Sequence, residues 1–224
     1  MGLLFRLIVY LYDLSIRNIF LFKGNFCLMN NLTFKQYKNI DLGIMAVLLI
    51  ISEAITTIAT DKWFYAQPVA ISTTLIFTCI VMMRWSGYAF IHAALGGLVM
   101  CIASGANFEQ YIIYTIGNCA ALIAMLWFKY FGKDGIRKNP FKISLFVTSA
   151  YIAMQIGRWV ISLFFSGQLD TLLAYLGTDI ISLLFAVIIM ICLKNTDGMI
   201  EDQKAYLFRI QREEKPTQTD YFSE

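Results

Sequence analysis

The sequence is poor in charge and contains a single histidine and three prolines. Only 15% of its 224 residues are Asp, Glu, Lys or Arg, whereas soluble domains carry about 25%. The formal net charge of +3 is too small to indicate a nucleic acid partner. The excess is apolar, because 58% of the residues are hydrophobic and the mean hydropathy is +0.64. These values exclude a disordered chain and an ordinary cytosolic enzyme domain, and they indicate a membrane protein.

The sequence also lacks the motifs of common enzymes. His92 alone cannot supply the two histidines of a zinc peptidase. There is no Walker A sequence, no G-x-G-x-x-G and no G-x-S-x-G. The five cysteines form no C-x-x-C pair, so we expect them to act as small apolar residues in helix packing rather than as metal ligands or disulfide partners. We therefore predict no catalytic residues, no cofactor and no metal, and we expect His92 to hydrogen-bond a neighbouring helix.

Six apolar stretches are long enough for membrane-spanning helices, which need about 20 residues. They are Leu42–Thr60, Phe64–Met83, Trp85–Gly105, Gln110–Tyr130, Ile143–Ser166 and Thr171–Leu193. None shows the alternating pattern of a membrane barrel, and backbone groups in lipid must pair within their own segment. The predicted fold is an all-α integral membrane protein with a six-helix transmembrane domain over residues 42–193.

The distribution of cations predicts the orientation of this domain. Cations precede the first stretch and follow the second, fourth and sixth. They are Lys23, Lys35, Lys38, Arg84, Lys129, Lys133, Arg137, Lys138, Lys142, Lys194, Lys204, Arg209, Arg212 and Lys215. The opposite loops contain only Lys62. Because cationic loops remain in the cytoplasm, both termini are predicted to lie inside the cell, with the bundle in the inner or plasma membrane.

The N-terminal segment, residues 1–41, has two interpretations. Arg6, Asp13 and Arg17 share one face of an otherwise apolar helix, which is typical of a helix lying on the membrane surface. Alternatively, translation begins at Met29, and residues 1–28 are an artefact of the assigned start.

The C-terminal segment, residues 194–224, is predicted to form a cytoplasmic amphipathic helix and a solvated tail. Its apolar face consists of Met199, Ile200, Tyr206, Leu207 and Ile210. This face either rests on the bundle or lipid, or it binds a cytoplasmic partner.

Four polar residues lie within the predicted spans at a similar depth: Glu53, Asn118, Arg158 and Asp179. Each is seven or eight residues from the outer end of its stretch, which is about 10–12 Å. Ionisable residues in a membrane are costly and usually functional. They form either a structural cluster in which Arg158 pairs with Asp179 or Glu53, or an outward-facing pocket for a small polar solute. An arginine there suits a carboxylate or another planar acceptor. The predicted pocket also includes Gln155, Tyr114 and Trp159.

A second pattern consists of small residues at every fourth position of the third stretch. These residues are Ala89, Ala93, Gly97, Cys101 and Gly105. Such a stripe allows close helix packing. It either packs within the chain or contacts a separate membrane subunit.

Around this stripe the chain resembles a transporter family. The run Met83-Arg84-Trp85-Ser86-Gly87-Tyr88-Ala89, followed by Ala94-Leu95-Gly96-Gly97, is similar to the turn and small-residue helix of the substrate-binding S components of energy-coupling factor (ECF) transporters. The resemblance implies uptake of a vitamin or similar micronutrient. It also implies a transmembrane T component and two cytoplasmic ATPases encoded elsewhere as partners.

Two further hypotheses remain. The rod-shape protein MreD has a similar six-span outline, so the chain is alternatively a membrane scaffold or assembly protein. The third hypothesis is a membrane enzyme in which Glu53 and Asp179 act as acid and base.

Overall fold

The computed structural model describes residues 33–64, 70–165, 171–196 and 198–219, and every regular element in these ranges is a helix. The chain divides into two compact units, Met1–Val47 and Leu48–Glu224. In the first unit, helix α1 (Phe34–Trp63) begins after Thr33. The side chain of Gln36 accepts from the Thr33 backbone N–H at 2.8 Å, and Thr33 Oγ1 accepts from the Gln36 backbone N–H. The predicted surface helix and the alternative start at Met29 lie outside the described residues.

The second unit contains the end of α1 and the remaining described helices. These are α2 (Thr74–Trp85), α3 (Ala89–Ser104), α4 (Phe108–Gly117), α5 (Leu126–Lys138), α6 (Pro140–Leu163), α7 (Thr171–Thr178), α8 (Ile180–Leu193) and α9 (Gln203–Thr219). Short 3₁₀ helices, Ser86–Tyr88 and Asn118–Met125, connect α2 to α3 and α4 to α5.

Several helices are compatible with a multi-pass membrane protein. Phe34–Trp63, Thr74–Ser104 and Phe108–Lys138 are long and apolar enough to cross a membrane, and the bent pair α7–α8 makes a fourth candidate if it is one span. Large apolar side chains cover the outside of these helices, as a lipid environment requires. Exposed examples include Ile102, Ile123, Leu126, Leu184 and Ile188.

Successive helical segments of the second unit contact each other across their connections. Pairs of residues on either side of each connection contact one another, namely Ser52 with Thr73, Thr74 with Gly96, Ala93 with Asn118, Phe128 with Phe146, and Gln155 with Asp179. In a straight helix, Thr74 and Gly96 would be about 33 Å apart. A Cβ on Gly96 would instead lie 2.2 Å from Thr74 Oγ1. The stretch Thr74–Ser104 therefore reverses direction at Ser86, where φ is +53°.

The predicted second and sixth stretches differ from the observed helices. The second was expected to begin at Phe64, but α2 begins only at Thr74 and is preceded by non-helical residues 70–73. The sixth is not continuous, because α7 and α8 meet at Asp179 with a bend of 43°. In both places, groups from distant parts of the chain satisfy the backbone, as described below.

The predicted C-terminal helix begins later than expected. Helix α9 starts at Gln203, because Asp202 Oδ1 accepts from the backbone N–H groups of Lys204 and Ala205 as an N-cap. Met199 and Ile200 are buried in the preceding turn, so their assignment to the helical face was wrong. Gly198 makes this turn possible, since its φ is +76°.

Ion pairs attach the start of α9 to α5. Lys133 Nζ lies 2.6 Å from Asp202 Oδ2, and Arg137 pairs with Glu201. Arg84, at the end of α2, donates to the carbonyls of Gly198 and Met199. The turn before α9 therefore contacts the bundle through polar groups, whereas the two interpretations of the apolar face of the helix both remain open.

The carboxyl of Asp202 has a pKa below its ordinary value of 3.8. Partial burial raises this pKa, but the Lys133 ammonium and the two backbone donors outweigh burial and lower it. Because the folded-state pKa is below the unfolded one, the interaction stabilises the fold above pH 3.8 and is lost as the pH falls through the lowered pKa. Asp202→Asn is expected to cost about 0.2–1 kcal/mol at neutral pH, since the pair is partly exposed to water.

Thermal unfolding of both proteins at neutral and acidic pH measures this effect. The difference in unfolding temperature should disappear well below pH 3.8. Asp134→Asn removes an exposed carboxylate from the same end of α5 and is the control. A difference that persists unchanged in acid would contradict the prediction.

Candidate functional site

Arg158, on α6, is the centre of the polar site and is 1% exposed. Its Nη1 forms an ion pair with Asp179 Oδ2 and donates to Gln155 Oε1 at 3.1 Å. Its Nε donates to Asn118 Oδ1 at 2.7 Å. Three of the four polar residues predicted to converge, together with Gln155, therefore form one buried network.

Asn118 and Gln155 each connect two parts of this network. Asn118 Nδ2 donates to the Ala93 carbonyl on α3 at 3.3 Å. Gln155 Nε2 donates to Asp179 Oδ2 at 3.2 Å while its Oε1 accepts from Arg158. Buried side-chain hydrogen bonds thus join α3, the 3₁₀ helix that begins at Asn118, α6 and the junction of α7 with α8. Hydrogen bonds are stronger in such a buried environment than in water.

Two tyrosine rings lie next to the charged pair. The Arg158 guanidinium carbon is 4.7 Å from the centre of the Tyr114 ring, within the range of a cation–π contact. Tyr114 meets Tyr175 edge to face, with ring centres 6.4 Å apart. Tyr114 precedes Asn118 by four residues, and Tyr175 precedes Asp179 by four. Tyr114 therefore lies about one helical turn before Asn118, and Tyr175 lies about one turn before Asp179.

Asp179 lies where α7 and α8 are interrupted, and neighbouring groups satisfy the carbonyls released there. The Tyr151 hydroxyl donates to the Leu176 carbonyl at 2.5 Å. The Ala70 backbone N–H donates to the Thr178 carbonyl at 3.0 Å. A helix interruption at membrane depth is tolerated only when such partners exist.

Glu53 does not join the Arg158 network. Its Oε2 accepts from the Thr73 backbone N–H and hydroxyl and from the Thr74 backbone N–H, at 2.7–2.9 Å. The carboxylate therefore caps the start of α2, which has a positive dipole end. The residues before α2 also contact α8, because the Ser72 backbone N–H donates to Ser182 Oγ at 2.8 Å. Glu53 thus belongs to a separate, adjacent polar group.

Two glycines allow the segments around Arg158 to pack closely. A Cβ on Gly117 would lie 2.7 Å from the Arg158 Cα, and one on Gly157 would lie 2.5 Å from the Gly117 carbonyl oxygen. Neither position has room for a side chain. The backbone of α6 therefore approaches that of α4 at the position of Arg158.

The small-residue stripe of α3 also packs within the chain. Ala89, Ala93, Gly97 and Cys101 are buried, whereas Gly105 ends the helix with φ +65° and is exposed. A Cβ on Gly97 would lie 2.5 Å from the Tyr114 carbonyl oxygen. These contacts agree with the first interpretation of the stripe. His92 on the same helix is 1% exposed.

The network leaves buried hydrogen-bonding groups unused. Among the described residues, Arg158 Nη2 has only the thioether sulfur of Met154 at 3.9 Å. Asp179 Oδ1 is buried and has no hydrogen-bond partner there, and the same holds for Trp159 Nε1 on the same helix as Arg158. Each such group costs about 1–3 kcal/mol. A polar molecule that satisfied them would recover this energy.

Sequence reasoning missed two contributors to the site. Tyr151 lies four residues before Gln155 and seven before Arg158, so the helical repeat could have placed it on the same face. Ser182, three residues after Asp179, carried no comparable signal because it is a single hydroxyl in an apolar run.

The chain matches no protein-family model, no curated protein and no solved structure with which it was compared. Among the described residues, no three His, Cys, Asp or Glu side chains are grouped as metal ligands. Function is therefore argued from the geometry of the site.

Proposed function

We propose that this chain is the solute-binding subunit of a multi-component uptake system in the cell membrane. The proposal depends mainly on the buried Arg158–Asp179 pair, in which each partner keeps an unused hydrogen-bonding atom. A pair that served only to join helices would be expected to use its full capacity, because unpaired buried groups destabilise the fold.

The interrupted backbone around this pair also supports solute binding. The residues before α2 are non-helical, and they meet the interruption between α7 and α8 through the bond from Ala70 to Thr178. In transporters, discontinuous helices commonly surround the substrate site. The aromatic side chains of Tyr114, Tyr175 and Trp159 would provide the apolar walls.

We also propose six membrane crossings with both termini in the cytoplasm. The contact between Thr74 and Gly96 supports two passes within Thr74–Ser104, and the 24 residues of α6 are enough for another. The C-terminal segment contacts Arg84 at the end of α2 and also Lys133 and Arg137 on α5. The end of α2 and this part of α5 therefore lie on the same side of the bundle. That side would be cytoplasmic.

Reporter fusions test this topology. Alkaline phosphatase, which is active only outside the cytoplasm, should be active when fused after Ala106 and inactive when fused after Asn139. A fluorescent protein fused after Glu224 should fluoresce in the cytoplasm. Phosphatase activity at Asn139 would contradict the proposed orientation.

Energy for uptake would come from other subunits. The sequence has no Walker A motif, so its resemblance to ECF S components favours a T component and two ATPases as partners. The scaffold hypothesis used the α3 stripe and the C-terminal helix as partner surfaces. The stripe is occupied by contacts within the chain, which leaves less surface to support a scaffold.

Native mass spectrometry tests solute binding directly. Protein purified from cells should carry a small molecule that is absent from the double variant Arg158→Met/Asp179→Leu, in which the charged pair becomes apolar. Asp134→Asn, a charge change at the exposed end of α5, should retain it. The proposal would be contradicted if the double variant carried as much of the small molecule as wild-type protein. It would also be contradicted if wild-type protein bound nothing after incubation with a small-molecule cell extract.

A further inference from the structure

The charges around Arg158 determine which kind of solute the site suits. Arg158 and Asp179 are 1% exposed and neutralise each other. Glu53, the other buried ionisable residue predicted for the site, makes its hydrogen bonds at the start of α2 and is not bonded to this pair. The Arg158–Asp179 pair itself therefore has no net charge to offset a charged ligand. An added ion would remain uncompensated in a medium of low dielectric constant, which is strongly unfavourable.

The geometry of the pair specifies the polar edge of the ligand. The pair is joined through one atom on each side, Arg158 Nη1 and Asp179 Oδ2. The second atom of each fork, Nη2 and Oδ1, has no N or O partner in the part of the chain that the structure describes. Nη2 is a donor and Oδ1 an acceptor, so a ligand that satisfied both would offer one acceptor and one donor.

From this arrangement we infer that the solute is neutral where it is buried and presents an amide-like edge to Arg158 and Asp179. Its carbonyl oxygen accepts from Arg158 Nη2, and its N–H donates to Asp179 Oδ1. The Tyr114 ring beside the guanidinium favours a flat ring as the body of the molecule. This inference rests on the proposed function. Of the two expected ligand groups for Arg158, a carboxylate or another planar acceptor, it selects the second, because Asp179 already supplies a carboxylate.

Three probes with one pyridine ring test the inference: nicotinamide, which is neutral, nicotinate, which is an anion, and the aminomethyl analogue, which is a cation. Affinity is measured by the shift in unfolding temperature and by titration calorimetry. Wild-type protein should bind nicotinamide most tightly. Asp179→Asn leaves a net positive site and should raise the affinity of nicotinate relative to nicotinamide at least about tenfold. Gln155→Glu adds a negative charge next to Arg158. This variant should raise the affinity of the cationic probe relative to nicotinamide by a similar factor.

The outcomes separate this inference from the proposed function. Tighter binding of nicotinate or the cation to wild-type protein would overturn the inference, as would unchanged preferences in both variants. If no probe binds, the inference is tested by the chemical structure of the solute found by native mass spectrometry. A solute with a neutral, amide-like group supports the inference, and a solute whose buried polar group is charged contradicts it. Protein that carries no solute and binds no probe would count against both proposals.

Discussion

Arg158→Ala is expected to lower the free energy of unfolding by about 3–5 kcal/mol, since it leaves Asp179 as an uncompensated buried charge. The same change removes the partner of Asn118 Oδ1 and of Gln155 Oε1, which lie 2.7 and 3.1 Å from the guanidinium. Unfolding in detergent, followed by tryptophan fluorescence, measures the loss. A variant as stable as wild-type protein would show that the network contributes little to the fold.

The double variant Arg158→Met/Asp179→Leu separates folding from binding. Replacing both partners removes the uncompensated charge, so it should recover at least about half of the stability lost in Arg158→Ala. It should still carry no solute, because neither Nη2 nor Oδ1 remains. A double variant that recovers stability and also retains the solute would indicate a purely structural cluster. One that fails to fold would contradict the expectation that the pair is replaceable.

The sequence predicted that Asn118, Arg158 and Asp179 meet because they share one depth, although Glu53 at the same depth does not join them. Asn118, Arg158 and Asp179 were placed about 10–12 Å from one surface by counting residues, and helices that pack at one depth bring such side chains together. Gln155 followed from its position one turn from Arg158. Local spacing and hydropathy were sufficient for these residues.

Glu53 and the start of α2 could not be predicted in this way. The first turn of α2 depends on a carboxylate 20 residues earlier, which accepts from Thr73 and Thr74. The interruption at Asp179 depends on partners even further away, since Tyr151 and Ala70 satisfy the freed carbonyls. Pro68 lies within the predicted second stretch and is a sequence signal against a continuous helix there, whereas no proline marks the interruption at Asp179, where composition favoured a continuous helix.

The closest helix contact in the site was also hidden in the sequence. The stripe on α3 was visible because it repeats every four residues. Gly117 and Gly157 are single glycines on different helices, and only the fold shows that they face each other. Their importance depends on a contact between two helices rather than on a pattern within either one.

Gly157→Ala is expected to destabilise the protein by about 1–3 kcal/mol, and Gly157→Leu by more. A Cβ at this position would lie 2.5 Å from the Gly117 carbonyl oxygen and from the Ala120 Cβ, so α6 must move away. Gly177→Ala is the matched control, because nothing lies within 4 Å of its added Cβ and alanine favours the helix by about 0.5–1 kcal/mol. Equal stability changes in the two variants would refute the predicted contact.

The same substitution is expected to weaken solute binding, since α6 carries Arg158 and the opposing segment carries Asn118. If close packing positions the 2.7 Å bond between them, moving α6 lengthens it. Asn118→Ala should then cost less stability in the Gly157→Ala background than in wild-type protein, because the bond is already weakened there. Additive losses would show that the glycine contact and the polar network act independently. A coupling of at least about 0.5 kcal/mol would show that close packing at Gly157 holds the charged site in position.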